Sequence, residues 1–113
     1  MRSDRERVLD ILEAIDKIKK YTVRGKAAFE SDELFQSWVV RNLQIIGEAA
    51  NRISESMQFK YSDIPWKKII GMRHILVHGY FEIDLEVVWS VIENDLQELE
   101  TKFHQVGEDL GLK

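Results

Sequence analysis

The stretch Phe35-Gln-Ser-Trp-Val39-Val-Arg-Asn-Leu43-Gln-Ile-Ile46-Gly-Glu-Ala-Ala50-Asn-Arg-Ile53-Ser-Glu-Ser-Met57 places an apolar side chain every three or four residues. The gaps from Phe35 through Val39, Leu43, Ile46, Ala50 and Ile53 to Met57 are 4, 4, 3, 4, 3 and 4. That is the repeat of one face of an α-helix, and it decides the fold class. Trp38, Ile45 and Ala49 form a neighbouring row, so the apolar face is wider than packing against a single helix needs. Gly47, Ala49 and Ala50 are small enough to let another helix approach closely. Ser31 or Asp32 is placed to cap the start of this helix, which the pattern carries to about Met57.

Three more helices are read on either side. The first runs from about Asp4 to Val23, with Val8, Ile11, Leu12, Ile15 and Ile18 as its stripe and Gly25 just past its end. Gln58 to Ile64 reads as a loop. Pro65, the only proline, then opens a helix over Pro65 to His78, where a first-turn proline belongs, and Gly79 is suited to end it. Asp84 is placed to cap the last helix, whose stripe is Leu85, Val88, Ile92, Leu96, Leu99, Phe103 and Val106. The tail from Gly107 to Lys113 is expected to fray. No Asn-Gly or Asp-Gly hairpin and no sustained alternation signals a strand. The expectation is an all-α, up-down four-helix bundle forming one domain over residues 1–113. The wide face of the second helix and three tryptophans favour a homodimer, the alternative being that all of them are internal core.

Composition narrows the chemistry. The 113 residues are 44% hydrophobic, enough for one real core. There is no cysteine, which excludes disulfides, zinc–thiolate sites and thiol nucleophiles, and fits a cytoplasmic protein. No apolar run approaches a membrane span, and no signal-peptide core follows the N-terminus. The net charge of −4 is opposite to what general phosphate attraction calls for. Any nucleic-acid contact is then local, or a partner supplies the positive surface, or there is none.

One segment carries functional groups out of keeping with a plain bundle: Arg73-His-Ile-Leu-Val-His78-Gly-Tyr80. A guanidinium holds a phosphate through a fork of N–H donors, and an imidazole moves a proton near neutral pH. These are the minimum for cleaving an RNA backbone without a metal. At about 100° per residue with Arg73 at zero, Ile69, Met72, Ile75 and Leu76 fall on the core face. His74 and His78 fall together, nearly opposite the core centre, with Arg73 at the edge between faces. A dimer interface burying both histidines is the bland alternative. The H-x3-H spacing also suits a helical metal pair, but Ile75 stands where a zincin has glutamate, and only Glu82 or Asp84 is near enough to add a ligand. No metal and no cofactor is expected. Glu48 and Arg52 form an i, i+4 pair that reads first as an exposed ion pair. Arg41, Asn42 and Glu48 are candidates to orient polar groups of the third helix. Lys67 and Lys68 are candidates to hold phosphate, or simply a solvated face. There is no paired-carboxylate signature, no serine nucleophile motif and no phosphate-binding glycine loop.

Arg73-x4-His78-x-Tyr80 resembles the R-x(4–6)-H-x-Y motif of the HepT-like family, within the HEPN superfamily. Ile46-Gly-Glu-Ala-Ala-Asn-Arg-Ile53 resembles that family's second helix. Ile64-Pro-Trp-Lys-Lys-Ile-Ile-Gly-Met-Arg73 resembles the approach to its motif, and Val88-Trp89 with Asn94-Asp-Leu96 its last helix. The similarity covers nearly the whole chain. It implies a HEPN four-helix bundle that dimerises and joins two motifs in one cleft. It implies further an RNase toxin of a type VII toxin–antitoxin pair, acting without metal on single-stranded RNA or tRNA. Its partner would be a small MNT-type nucleotidyltransferase antitoxin that silences it by transferring AMP onto the motif tyrosine. Carried over, Arg73 and His78 are catalytic, Tyr80 is the AMPylated residue, and His74 is an auxiliary group. The family usually has asparagine after the arginine, so His74 is a departure that puts activity or substrate choice in question. The alternative implied is a non-catalytic, nucleotide-binding AMP-acceptor subunit of a nucleotidyltransferase complex.

Overall fold

The structure, a computed structural model, describes residues 2–75, 77–78 and 82–112; the side chains of Ile75, Val77, His78 and Glu82 fall outside that description. Tyr80 and Gly79 lie outside the described residues. The elements in order are α1 (Asp4–Thr22), α2 (Lys26–Ser31), α3 (Glu33–Arg52), α4 (Glu55–Lys60), α5 (Trp66–Ile75), β1 (Val77–His78), β2 (Glu82–Ile83), α6 (Leu85–Ser90), a π-helical turn (Val91–Asp95) and α7 (Leu96–Asp109). The fold is helical, as the stripe on α3 requires.

The long helices begin where the sequence supplies caps. The Ser3 hydroxyl accepts from the Glu6 N–H while the Glu6 carboxylate accepts from the Ser3 N–H, a capping box that starts α1. Asp32 caps α3, its carboxylate accepting from the N–H groups of Leu34 and Phe35 at 3.0 and 3.2 Å. Asp32→Ala should therefore lower stability by ~1 kcal/mol, read as a lower urea midpoint. An unchanged midpoint would mean that Gly25 and α2 fix this entry instead. Gly25, at φ 92°, takes a left-handed turn between α1 and α2 that side chains resist.

The helices α1 and α3 run antiparallel. Asp4 accepts from the Ser54 N–H and hydroxyl at one end, and the Trp38 indole donates to the Lys17 carbonyl at the other. Val8, Ile11, Ile15 and Ile18 of α1 and Val39, Leu43, Ile46 and Ala50 of α3 are buried between them and the other helices. On its other side α1 meets α7, tied by Arg5 to the Leu110 carbonyl and by Lys19 to Glu100. Trp66 and Phe103 meet edge to face at 5.7 Å. Among the described residues no helix is long and apolar enough to cross a membrane.

Several expectations need correction. The second helix stops at Arg52 rather than about Met57, because the Asp4 carboxylate takes the Ser54 N–H and Ile53 turns extended. Ser54 then caps α4, so part of the expected loop from Gln58 is helix. The third helix ends at Ile75, three residues short, and Val77–His78 pairs antiparallel with Glu82–Ile83. The placing of His78 one turn from His74 on a helix therefore does not hold, and a short strand pair exists where none was expected. In the last helix the π turn inserts one residue into the repeat. Val91, not Ile92, is buried, and the next buried position is Leu96, five residues on. The C-terminal segment is packed rather than frayed. The Leu112 N–H bonds to the Gly107 carbonyl and the Gly111 N–H to that of Glu108, with Gly111 at φ 75°, closing α7 by a Schellman turn. The Tyr61 hydroxyl also donates to Asp109 at 2.7 Å.

Two of the three tryptophans, Trp66 and Trp89, are core residues of this chain. Only Trp38, 37% exposed, is left on the outside of α3.

Candidate functional site

Arg73 stands in the last turn of α5, which lies against α3 at Gly47. A Cβ built on Gly47 would sit 3.0 Å from the Arg73 Cγ, 3.0 Å from the Ile69 carbonyl oxygen and 3.1 Å from the Arg73 nitrogen. The glycine thus permits a near backbone-to-backbone approach, as its small size leads one to expect. Ile69 and Met72 point into the core, and Arg73 emerges at the margin with 30% of its side chain exposed. This is the edge position that the helical repeat gives it.

Glu48, next to Gly47, gathers two arginines. Its Oε1 accepts from Arg73 Nη1 at 3.2 Å and its Oε2 from Arg52 Nε at 2.8 Å. The hydrogen bond from Arg52, then that from Arg73, holds the Glu48 carboxyl below its ordinary titration range. A group so depressed contributes its interaction above the unfolded carboxyl range and loses it only as the pH falls through the lower folded value. At neutral pH the clamp on Arg73 is intact. The Arg73 Nε is buried and has no acceptor among the described residues.

His74 is exposed at the end of α5, as expected. The backbone of His78 follows in β1, opposite Glu82. The Arg73–Glu48 pair is therefore brought together across two helices. The meeting of Arg73 with His78 and Tyr80 lies outside the described side chains.

Other candidates have separate duties. Asn42, only 2% exposed, donates to the Trp38 carbonyl within its own helix and does not reach α5. Lys68 pairs with Asp95 of the π turn at 2.9 Å, a contact that the sequence pattern does not reveal. Lys67 is exposed. Asp84 caps α6 by accepting from the Val87 N–H at 3.1 Å. Among the described residues no group of three or more His, Cys, Asp or Glu side chains could hold a metal ion.

Residues 11–106 match the family described as Ribonuclease HepT-like. A protein of Thermococcus cleftensis named "Probable ribonuclease HepT" is 35% identical over 108 residues, covering 93% of this chain and 96% of that one. A Methanocaldococcus jannaschii protein named "Gamma-glutamylcyclotransferase and putative RNase" is 36% identical over 101 residues, covering 88% of this chain but 46% of its own length. This chain thus spans about half of that longer relative. A "Putative RNase" of Caldanaerobacter subterraneus is 36% identical over 78 residues, covering 69% of this chain and 70% of that one. No solved structure matches. With the motif arginine seated on Gly47 and most of its length matched, the chain belongs to the HepT-like ribonuclease family.

Proposed function

We propose that this protein is a metal-independent endoribonuclease that cleaves single-stranded RNA, tRNA included, as the toxin of a type VII toxin–antitoxin pair in the cytoplasm. The observation that carries the reading is Arg73: a fixed cation at the end of α5, partly exposed to solvent and oriented by Glu48, at the start of the R-x4-H-x-Y segment. The names of the relatives support an RNA substrate.

The chemistry is internal transesterification. The ribose 2′-oxygen forms a bond to phosphorus as the bond to the 5′-oxygen breaks, leaving a 2′,3′-cyclic phosphate and a 5′-hydroxyl. The nucleophile is held beside the phosphorus by the ribose itself, so proximity supplies much of the rate. Arg73 stabilises the charge growing on the phosphoryl oxygens. His78 takes the 2′-hydroxyl proton or gives one to the leaving oxygen, and in a homodimer the second subunit's His78 takes the opposite role. His74 is an auxiliary donor in the place where the family has asparagine.

The same reading assigns a regulator. An MNT-type nucleotidyltransferase antitoxin transfers AMP from ATP to the Tyr80 oxygen, releasing pyrophosphate and the phenolic proton. On this reading the adduct adds bulk and negative charge to the motif, and so competes with the RNA phosphate for Arg73.

The test is cleavage of end-labelled single-stranded RNA by the purified protein in excess EDTA, with intact mass measured on the same sample. Cleavage with cyclic-phosphate ends is expected from unmodified protein, and its loss on a mass gain of one or more AMP units at Tyr80. The net charge of −4 and the histidine at 74 favour a second reading, a non-catalytic AMP-acceptor subunit. No cleavage by protein of confirmed unmodified mass would replace the first reading by that one.

A further inference from the structure

A chain of net charge −4 needs a local site if it is to hold RNA, and the C-terminal half of α1 provides one. Residues 17–29 contain Lys17, Lys19, Lys20, Arg24 and Lys26, five of the sixteen cations of the chain, and no Asp or Glu. Lys19 is taken by Glu100, Arg24 by Asp32 and Lys26 by Glu86. Lys17 and Lys20 are exposed and have no carboxylate partner among the described residues.

Aromatic surface adjoins these two cations. Tyr21 is 41% exposed and Trp38 is 37% exposed, and their rings meet edge to face at 6.0 Å. The Trp38 indole is pinned by its bond to the Lys17 carbonyl at 3.2 Å, so little freedom is lost when something stacks there. Tyr21, Leu34, Phe35 and Trp38, with Arg24 and Asp32 at the rim, enclose a hollow of about 290 Å³. Phe35 is itself covered by the Arg24 guanidinium at 5.2 Å. Free lysines beside rigid, half-open rings are the two components of a surface that holds single strands without reading their sequence.

The strip also leads to the site. Trp38, Arg41, Ile45 and Glu48 are spaced 3, 4 and 3 along α3, which puts them on one face of it. Arg41 is exposed on that face. Ten residues separate Trp38 from Glu48, about 15 Å of helix rise. A strand seated at Trp38 reaches the Arg73 held by Glu48 within a few nucleotides.

We propose that the junction of α1 and α3 is a binding strip for the single-stranded part of the RNA substrate, with Tyr21 and Trp38 stacking on bases and Lys17 and Lys20 contacting phosphates. The proposal rests on the ribonuclease reading and extends it to how an acidic protein holds its substrate. The phosphate term is local, so binding is salt-sensitive despite the negative net charge.

The test is fluorescence anisotropy of a labelled oligouridylate on the His78→Ala protein, which is not expected to consume the probe, over a series of salt concentrations. Cleavage by the wild-type protein is assayed in parallel. Lys17→Gln with Lys20→Gln is expected to raise Kd ~10-fold and to reduce the salt slope by about 1.4, two phosphates at ~0.7 each. Tyr21→Ala is expected to raise Kd ~5-fold or more. Leu34→Lys, at a position 83% exposed beside the hollow, is expected to tighten binding. Unchanged Kd and slope in all three, with cleavage intact in the wild type, would overturn the strip and leave the ribonuclease reading standing. The absence of both cleavage and binding in the wild type would overturn both. If Leu34→Lys splits a larger assembly and leaves RNA binding unchanged, the strip is a contact between copies of this chain, and the proposal fails.

Discussion

Cleavage of single-stranded RNA by the His78→Ala protein is expected to fall ~10²–10⁴-fold, the usual contribution of a positioned proton donor or acceptor. Arg73→Lys is expected to fall ~10²-fold or more although the charge is kept. An ammonium is a compact point charge and lacks the planar fork that holds two phosphoryl oxygens at once. It also cannot keep the Glu48 contact and a phosphate contact in the geometry that one guanidinium spans, with Nη1 already 3.2 Å from Glu48. If both side chains act on one transition state, the double variant should be little worse than the poorer single variant. The measurement is single-turnover cleavage of labelled RNA with folding checked by circular dichroism. A His78→Ala protein that cleaves at the wild-type rate would remove the proton-transfer role, and an additive double variant would mean that the residues serve separate steps.

Much of the helical core was legible because burial follows the 3.6-residue repeat. Val8, Ile11, Ile15 and Ile18 of α1, and Phe35, Val39, Leu43, Ile46, Ala50 and Ile53 along the second stripe, are buried as their spacing requires. Caps at Asp32 and Asp84 were legible for the same local reason, since a short acceptor side chain stands just ahead of each repeat. What escaped depends on distant contacts. Nothing near Ser54 announces that α3 will stop there; the carboxylate that takes its N–H comes from Asp4, fifty residues away. The π turn at Val91–Asp95 escaped because Val91 and Ile92 are both apolar, so either could continue the stripe. The closing turn of α7 was present in the sequence as Gly111 followed by Leu112, but its position so near the end suggested fraying.

The site divides along the same line. The outward place of His74 and the marginal place of Arg73 follow from helical spacing, which holds through Ile75. His78 could not be placed this way, because the helix ends before it and the backbone turns into the pair with Glu82–Ile83. The role of Glu48 was half legible. Its i, i+4 pair with Arg52 is a local pattern, whereas its hold on Arg73 needs the approach of α5 at Gly47. The two features lie side by side in sequence: the residue that lets α5 come close precedes the residue that grips it.

That adjacency makes Gly47 the sharpest test of the architecture of the site. Two of the three atoms that an added Cβ would meet are backbone, the Ile69 oxygen at 3.0 Å and the Arg73 nitrogen at 3.1 Å, and backbone cannot swing aside as a side-chain end can. Gly47→Ala sets a gain in helix propensity of ~1 kcal/mol against a shift of α5 by a few tenths of an ångström, and should be close to neutral in stability. Gly47→Val adds two branches beyond that Cβ and has no such offset, so α5 must move as a body. The expected loss is ~1–3 kcal/mol of stability, the range for overpacking a filled contact. The expected loss of cleavage is larger in proportion, ~10²-fold, because a displacement near 1 Å at Arg73 is enough to spoil alignment with the phosphate. Gly71→Ala is the control: it lies in the same helix, its added Cβ meets nothing within 4 Å, and it should gain up to ~1 kcal/mol with cleavage kept. Urea unfolding and RNA cleavage on the three variants separate the outcomes. Were Gly47→Val to unfold at the wild-type midpoint and cleave at the wild-type rate, the close seat of α5 on α3 would be wrong, and with it the account of how Arg73 is held.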